Sequence, residues 1–393
     1  MISKPPICLV CGSSNWKDLI DPHDSRSVTT AGRVVAKPLG KSQCMTCGAA
    51  QRVRSSMLAF TDYYETDYAN YYERPGAETF HKQRYVSIWK WICEAVAIKE
   101  PKRILDVGCG QGWLMDLMQE TFPEAVIEGI EPSQYNVKMA RERGHRVHEG
   151  RLEHIAPALA SFDLVVSTNV LQHVSNPLDF LTTLSKLVSG MGVTVVTCPD
   201  GSRPNIELLW ADQNLSLIPA NLQSLAGKAL PNSQSCTICQ SEGSSASLPP
   251  ALLMISDSSC GKKQNDFHCD IDLLLQERQK FLGSFRAIDK FLTEQVKESS
   301  NVVNLGASYW SSILAAYCPN YWSLVQSCCV DDPKDQTTFL DKPVVKTSDV
   351  PDTACVVLGI TPDAQQRAAN SISQRFLQVI SWGRLLCEGN LGK

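Results

Sequence analysis

Residues 103 to 118, "RILDVGCGQGWLMDLM", constrain this chain more than any other stretch. An apolar run ends in three glycines at alternate positions, Gly108, Gly110 and Gly112, and leads straight into an apolar-periodic segment. That order spells a strand, a tight turn and a helix, with the turn free of side chains so that a small cofactor can lie against its backbone.

Dinucleotide-binding turns use GxGxxG for the same reason, so the glycines alone leave the cofactor open. Two features favour a different ligand. Here the glycines read "DVGCGQG", with no third glycine at the helix-packing spacing, and Asp106 stands two residues before Gly108. An acid in that place suits a ligand with a cationic amino acid part better than a pyrophosphate. S-adenosylmethionine has such a part, and its ribose needs a second acceptor. The next expected strand, "AVIEGIEPS", supplies one at Glu131, 25 residues after Asp106.

Cysteine pairs give the second signal. Cys8-x2-Cys11 and Cys44-x2-Cys47 are separated by 32 residues, and a glycine, Gly12 or Gly48, follows each pair. Each CxxCG folds as a tight knuckle with both sulfurs toward one ion. Four thiolates close a tetrahedral zinc shell and leave no open position for water, so the expected role is structural. Four unrelated thiols are the plain alternative. A redox CxxC lacks its strand and helix context. Cys236-x2-Cys239 with Cys260, His268 and Cys269 forms a second, less regular candidate set.

At 393 residues the chain is too long for one ordinary domain. Its sixteen cysteines do not make a disulfide scaffold, because the N-terminus "MISKPPICLVCGSSN" has no apolar signal core and no run of about 18 apolar residues occurs. A cytoplasmic location without membrane insertion is the expectation. Net charge is -4, yet residues 1 to 60 carry eight Lys or Arg against three Asp. A basic N-terminal module suits an anionic partner, a phosphate ester or RNA. By texture the chain divides into a zinc-binding module at 1–60, an α/β core at 61–225, a linker and helical connection at 226–298, and a smaller α/β unit at 299–393. In the connection, Ser, Pro and Cys dominate up to about 270, and "DIDLLLQERQKFLGSFRAIDKFLTEQV" then has helical spacing. The last unit alternates strand and helix patterns through "NVVNLGAS", "SSILAAY", "WSLVQSCCVDD", "ACVVLGI" and "DAQQRAANSISQRFL".

"ILDVGCGQG", Glu131, "GRLE", "FDLVVSTNVLQHVSNP" and "LVSGMGVTVVTCPD" resemble, in order, the motifs of class I S-adenosylmethionine-dependent methyltransferases over about residues 100 to 200. The resemblance implies an α/β, Rossmann-like core. It gives Asp106, Gly108, Gly110 and Gly112 to the methionine part and its turn, and Glu131 to the ribose. Arg151 and Leu152 would border the adenine, and Asn169, Gln172 and His173 would line the floor. Where the family often has "LEHV", this chain has "LQHV", so Gln172 brings no charge. The zinc knuckles, the following "YYETDY" and the late "VNLGAS…VDDPKD…VVLGI" resemble the wider architecture of the deoxysugar C-methyltransferases, which act on nucleotide-linked keto sugars. That resemblance implies a small-molecule substrate, a nucleotide sugar, with Tyr63, Tyr64 and Tyr68 as aromatic contacts.

The chain departs from that family after the core. A histidine-bearing "YHEHLSYFS"-like segment is replaced by "LWADQNLSLIPANL", which puts Asp212, Gln213 and Asn214 in the aligned places. Gln and Asn cannot act as a base. Either Asp212 or His173 takes that role, or no strong base is needed, or oxygen or nitrogen is methylated. Two other readings stay open: an RNA methyltransferase that grips nucleic acid through its basic zinc module, and a non-catalytic cofactor-binding protein.

Overall fold

A computed structural model describes residues 6–53, 65, 77–96, 100–230, 235–241, 251–257 and 267–386. Its N-terminal part is a small sheet of β1 (Trp16–Asp18), β4 (Lys41–Cys44) and β5 (Ala50–Arg52), with a two-stranded ribbon of β2 (Ser27–Val28) and β3 (Val34–Val35) beside it. Helix α1 (Ala77–Ala95) leads into the central sheet. Its parallel strands are β6 (Arg103–Val107), β7 (Val126–Glu131), β8 (Arg146–Glu149), β9 (Phe162–Thr168) and β10 (Val188–Pro199). Between them lie α2 (Trp113–Thr121), α3 (Gln134–Glu142), α4 (Leu152–Ile155) and α5 (Pro177–Leu187). Local sequence sets the helix starts: Ser133 accepts from the Asn136 amide, and Asn176 accepts from the Asp179 amide with Pro177 as the first helical residue.

The inner parallel strands β6 and β9 are buried on both faces, and successive residues feed different cores. Ile104, Leu164, Val166 and Val195 pack with α1, α2 and α3, whereas Leu105, Val107, Val165 and Val196 pack with α5 and with α6 (Pro219–Ala229).

The expected linker holds the main departure from the sequence reading. β12 (Ser235–Gln240) and β13 (Ala251–Asp257) are antiparallel strands that complete the seven-stranded sheet in the order β12-β13-β10-β9-β6-β7-β8. "ALLMISD" is buried through six of its seven residues, so it has no alternation to announce a strand, and its Ser- and Pro-rich surroundings hide it. On β12, Cys236 and Cys239 are three positions apart and so point to opposite faces. They pack with different cores, and the second cysteine site is not formed among the described residues.

The N-terminal sheet is also not closed within residues 1 to 60. Its outer strand is β11 (Leu215–Ser216), which pairs Leu215 with Gln51 and Ser216 with Ala50. Next comes α7 (Ile271–Val296), started by the Asp270 carboxylate on the Leu273 amide, with a buried stripe of Leu274, Phe281, Phe285, Ile288, Leu292 and Val296. This stripe joins Leu19, Val28 and Leu39 of the N-terminal part to the C-terminal unit in one continuous core.

The C-terminal unit has β14 (Val302–Leu305), α8 (Tyr309–Tyr317), α9 (Pro319–Leu324), β15 (Ser327–Val330), β16 (Thr338–Phe339), β17 (Lys342–Lys346), β18 (Cys355–Leu358), α10 (Pro362–Ile372) and β19 (Gln378–Ile380). Its sheet runs β16-β17-β15-β14-β18-β19, parallel except for β16. The sheet order reverses at β14, the place where open α/β sheets hold ligands. Here Asn304 and Ser311 fill it: Asn304 donates to the Gly306 carbonyl and to Ser311, and Ser311 donates to the Gly359 carbonyl. No helix among the described residues is long and apolar enough to cross a membrane.

One side chain ties three parts together. Arg278 of α7, 1% exposed, donates to Gln43 Oε1, to the Gly48 carbonyl in the second cysteine knuckle and to the Gly201 carbonyl after β10. Burial lowers its pKa to about 10. Replacement by Met relieves a desolvated charge but orphans three acceptors, at about 1–3 kcal/mol each. The orphaned acceptors win, and urea unfolding of Arg278→Met is expected to show a net loss of about 2–4 kcal/mol.

Candidate active site

All three alternate glycines adopt left-handed backbone, with φ of 78°, 53° and 82° at Gly108, Gly110 and Gly112. At two of them the space is taken as well. A Cβ on Gly108 would lie 2.2 Å from Val170 Cγ2, and one on Gly112 would lie 2.5 Å from His145 Cδ2. The contact at Gly108 shows that the segment after β9 lies directly over the turn.

Asp106, the penultimate residue of β6, lies beside the turn, 1% exposed, and neither of its carboxyl oxygens has a hydrogen-bond partner. Burial, and then the Glu131 charge, push its pKa up to about 8. A native fold rarely leaves such a group alone, since an unpaired buried polar group costs about 1–3 kcal/mol. The ammonium of S-adenosylmethionine would fit these two acceptor oxygens. Glu131 is placed on the adjoining strand but is already engaged. Its Oε2 accepts from the Gly110 amide at 2.9 Å and its Oε1 from the Ser133 amide at 2.9 Å. It therefore props the turn, and its remaining lone pairs are what a ribose would meet.

Arg151 stands immediately before α4 and pairs through Nε with Glu65 at 2.8 Å. Leu152 is 5% exposed and packs in the core with Leu105 and Ile130, so its side chain is structural. Asn169 is left-handed (φ 56°), and its amide donates to the Thr197 carbonyl. Gln172 donates through Nε2 to the Asn169 carbonyl and leaves Oε1 buried without a partner.

His173 and Asp212 do meet, but not as two acid–base groups. The His173 Nδ1 contacts the Asp212 backbone carbonyl at 3.1 Å. Because a carbonyl only accepts, Nδ1 carries the proton and Nε2 holds the lone pair. Burial lowers the His173 pKa, which keeps the ring neutral. The Asp212 carboxylate instead accepts from the Thr30 amide at 2.8 Å and from the Thr30 hydroxyl. Fully buried and used this way, Asp212 anchors the chain.

Residues 207 to 216 form a strap that no sequence pattern announced. Lys41 Nζ donates to the Leu208 carbonyl at 3.0 Å, Arg52 Nη1 to the Ala211 carbonyl, and Tyr317 of the C-terminal unit to the Leu209 carbonyl at 2.5 Å. The strap in turn holds the floor: the Asn214 amide donates to the Gln172 carbonyl at 2.8 Å, and Asn214 Nδ2 to the His173 carbonyl at 2.7 Å. Tyr63, Tyr64 and Tyr68, and also Cys260, lie outside the described residues.

The two cysteine knuckles are near copies. Gly12 and Gly48 have φ of 78° and 74°, and each amide returns to the carbonyl of the first cysteine at 2.8 Å. The sulfurs of Cys8, Cys11, Cys44 and Cys47 all lie within 4.8 Å of one another, with Cys8–Cys47 and Cys11–Cys44 at 3.6 Å. A tetrahedron with Zn–S bonds of about 2.3 Å has edges of about 3.8 Å, so the donor set fits one zinc ion. A hydrogen bond from Cys47 holds the Cys8 thiol below its ordinary range, and the same contact pushes Cys47 up.

Together the sheet order, the glycine turn and the acids at the ends of β6 and β7 define a Rossmann-like methyltransferase fold. Residues 80–227 match the family described as "Methyltransferase domain". Trans-aconitate 2-methyltransferase of Rhodopseudomonas palustris (strain BisB18) is 33% identical over 107 residues, 27% of this chain and 41% of that protein. The tRNA U34 carboxymethyltransferase of Psychromonas ingrahamii (strain DSM 17664 / CCUG 51855 / 37) is 31% identical over 137 residues, 32% of this chain and 42% of that protein. This chain thus spans about two fifths of the length of these curated relatives. Among solved structures, the plantazolicin methyltransferase BamL, in complex with a triazolic desmethylPZN analog and SAH, has a TM-score of 0.40 at 16% identity and covers 48% of this chain and 93% of its own.

Proposed function

We propose that this chain transfers a methyl group from S-adenosylmethionine to a small polar molecule, a nucleotide-linked sugar or related carbohydrate, with one structural zinc in the Cys8, Cys11, Cys44 and Cys47 site. The observation that carries the cofactor is the buried, unpartnered Asp106 carboxyl beside three left-handed glycines. Bound there, S-adenosylmethionine supplies a methyl group already activated on a sulfonium, so holding the acceptor in line does much of the work. In this reading Asp106 holds the ammonium, Glu131 the ribose, and Arg151 and the Leu152 backbone border the adenine. Of the two candidate bases, His173 is the one proposed, since the Asp212 carboxylate is committed to Thr30. Tyr63, Tyr64 and Tyr68 are proposed contacts to the sugar.

Support for the sugar comes from the three-part resemblance in the sequence and from the strap, which the N-terminal and C-terminal parts both grip over the floor. One relative's name points to tRNA and favours the RNA reading. Against it, Lys41 and Arg52, two of the cations that make the N-terminal module basic, are each 1% exposed and hold carbonyls of the strap, so neither reaches a phosphate. The trans-aconitate relative names a carboxylate substrate instead.

Labelled S-adenosylmethionine offered with mixed nucleotide sugars and, in parallel, with total RNA tests the reading. Label is expected in the sugar pool. Label confined to RNA, with binding that falls steeply as salt rises, would replace the substrate class, and an absence of cofactor binding by calorimetry would remove the activity.

A further inference from the structure

Helix α3 starts from Ser133, whose Oγ accepts from the Asn136 amide at 3.3 Å. That bond is one half of a reciprocal cap, in which the side chain three residues further on reaches back to the amide of the capping residue. Helix α6 of the same chain makes the return bond with the same residue type: Asn221 Oδ1 accepts from the Ile218 amide at 3.1 Å. On α3 the return bond is missing because the Ser133 amide is already taken. It donates to Glu131 Oε1 at 2.9 Å. Asn136 is 0% exposed, and neither its Nδ2 nor its Oδ1 has a hydrogen-bond partner.

This buried amide lies against the acid that faces the cofactor. Burial pushes the Glu131 carboxyl up, and the Ser133 amide, the Gly110 amide and then the Asn136 side chain draw it back toward the ionised form. One helical turn beyond Asn136, Ala140 Cβ lies 3.4 Å from a Cβ placed on Gly112, so the same face of α3 fronts the glycine turn. Glu131 and Asn136 therefore compete for one N–H beside the turn, and Glu131 holds it in this structure.

We propose that Asn136 is a positioning residue that frees Glu131 for the cofactor's ribose: as the ribose hydroxyls donate to the carboxylate, Glu131 gives up the Ser133 amide and Asn136 Oδ1 accepts it. The inference rests on the methyltransferase reading above and deepens it. A backbone N–H left buried without an acceptor would oppose that exchange, and Asn136 removes the penalty. Glu131 Oε2 keeps its bond to the Gly110 amide, so the acid stays tied to the turn while its other oxygen meets the ligand. The exchange also accounts for a polar side chain at a fully buried helix position, where an apolar one would pack without an unmade hydrogen bond.

The test compares the full chain with Asn136→Leu and Asn136→Ala, two replacements of different size, so that the reading does not depend on how either one packs. Calorimetry reads the binding of S-adenosylhomocysteine and of its counterpart with a 2′,3′-dideoxyribose. Affinity for S-adenosylhomocysteine is expected to fall about tenfold in the variants, the effect of stranding one buried donor. The dideoxy counterpart has no hydroxyl to draw Glu131 away from Ser133, so it should bind all three proteins alike. That selectivity separates positioning from a merely structural role, which would weaken both ligands together. An equal loss for the two ligands, or no loss for either, would overturn the inference and leave the methyltransferase reading standing. If the unaltered chain does not bind S-adenosylhomocysteine, both fall.

Discussion

Asp106→Asn is expected to weaken S-adenosylmethionine binding by about 2–5 kcal/mol, roughly 30-fold to several thousand-fold, while it raises the stability of the ligand-free protein. Both effects have one cause. In the free chain the carboxyl is buried, lacks any hydrogen bond and is pushed up to about 8. Between its ordinary value near 4 and about 8, the folded protein keeps a proton that the unfolded chain has lost. Stability owed to this group therefore falls as pH rises across that window. A bound ammonium reverses the preference, because only the ionised carboxylate pairs with it.

Cofactor affinity should accordingly climb with pH, by up to about tenfold per unit, until Asp106 ionises without help. It should then fall as the cofactor's own α-amino group loses its proton near pH 8. Calorimetric titrations from pH 6 to 9 are expected to show a maximum near 8, and the Asn variant should lose the rising limb. Equal affinity of both proteins at every pH would remove Asp106 from the ligand site.

Protein purified without chelator is expected to hold about one zinc per chain, and stripping the metal or making Cys44→Ser should lower Tm by about 5 °C or more and slow methyl transfer. Zinc fingers owe their whole fold to the metal, and here the surrounding cores retain part of theirs. The effect on turnover follows from connectivity. Cys44 is the last residue of β4, and residues 44 to 48 make the knuckle that turns into β5. These two strands carry Lys41 and Arg52, which hold the strap over Gln172 and His173. A loosened knuckle therefore moves the floor and leaves the glycine turn in place, so kcat should fall more than cofactor affinity. Metal-free protein with unchanged Tm and rate would show the cysteine cluster to be idle.

Local chemistry writes the parts of this molecule that were legible in its sequence. The glycine turn was readable because Gly108, Gly110 and Gly112 each need a left-handed backbone and sit in a row. The knuckles were readable because a glycine must follow each CxxC for the chain to turn back on itself. Helix α7 announced itself by its apolar spacing. Strands β12 and β13 did not, because "ALLMISD" is buried almost throughout and a run without alternation reads equally well as helix or linker.

Asp212 shows where local reading stops. Its sequence neighbourhood offered it as a base, and only the fold brings Thr30, 182 positions away, onto its carboxylate. Arg52 and Lys41 looked like the charge of a basic surface, and tertiary structure buries both against carbonyls of the strap. By itself the sequence determined the glycine turn, the two cysteine knuckles and the strand and helix alternation of the core and of the C-terminal unit, because each depends on residues within a few positions of one another. Tertiary structure alone decided which polar groups are left without partners, since a hydrogen bond is made or missed only when distant segments arrive.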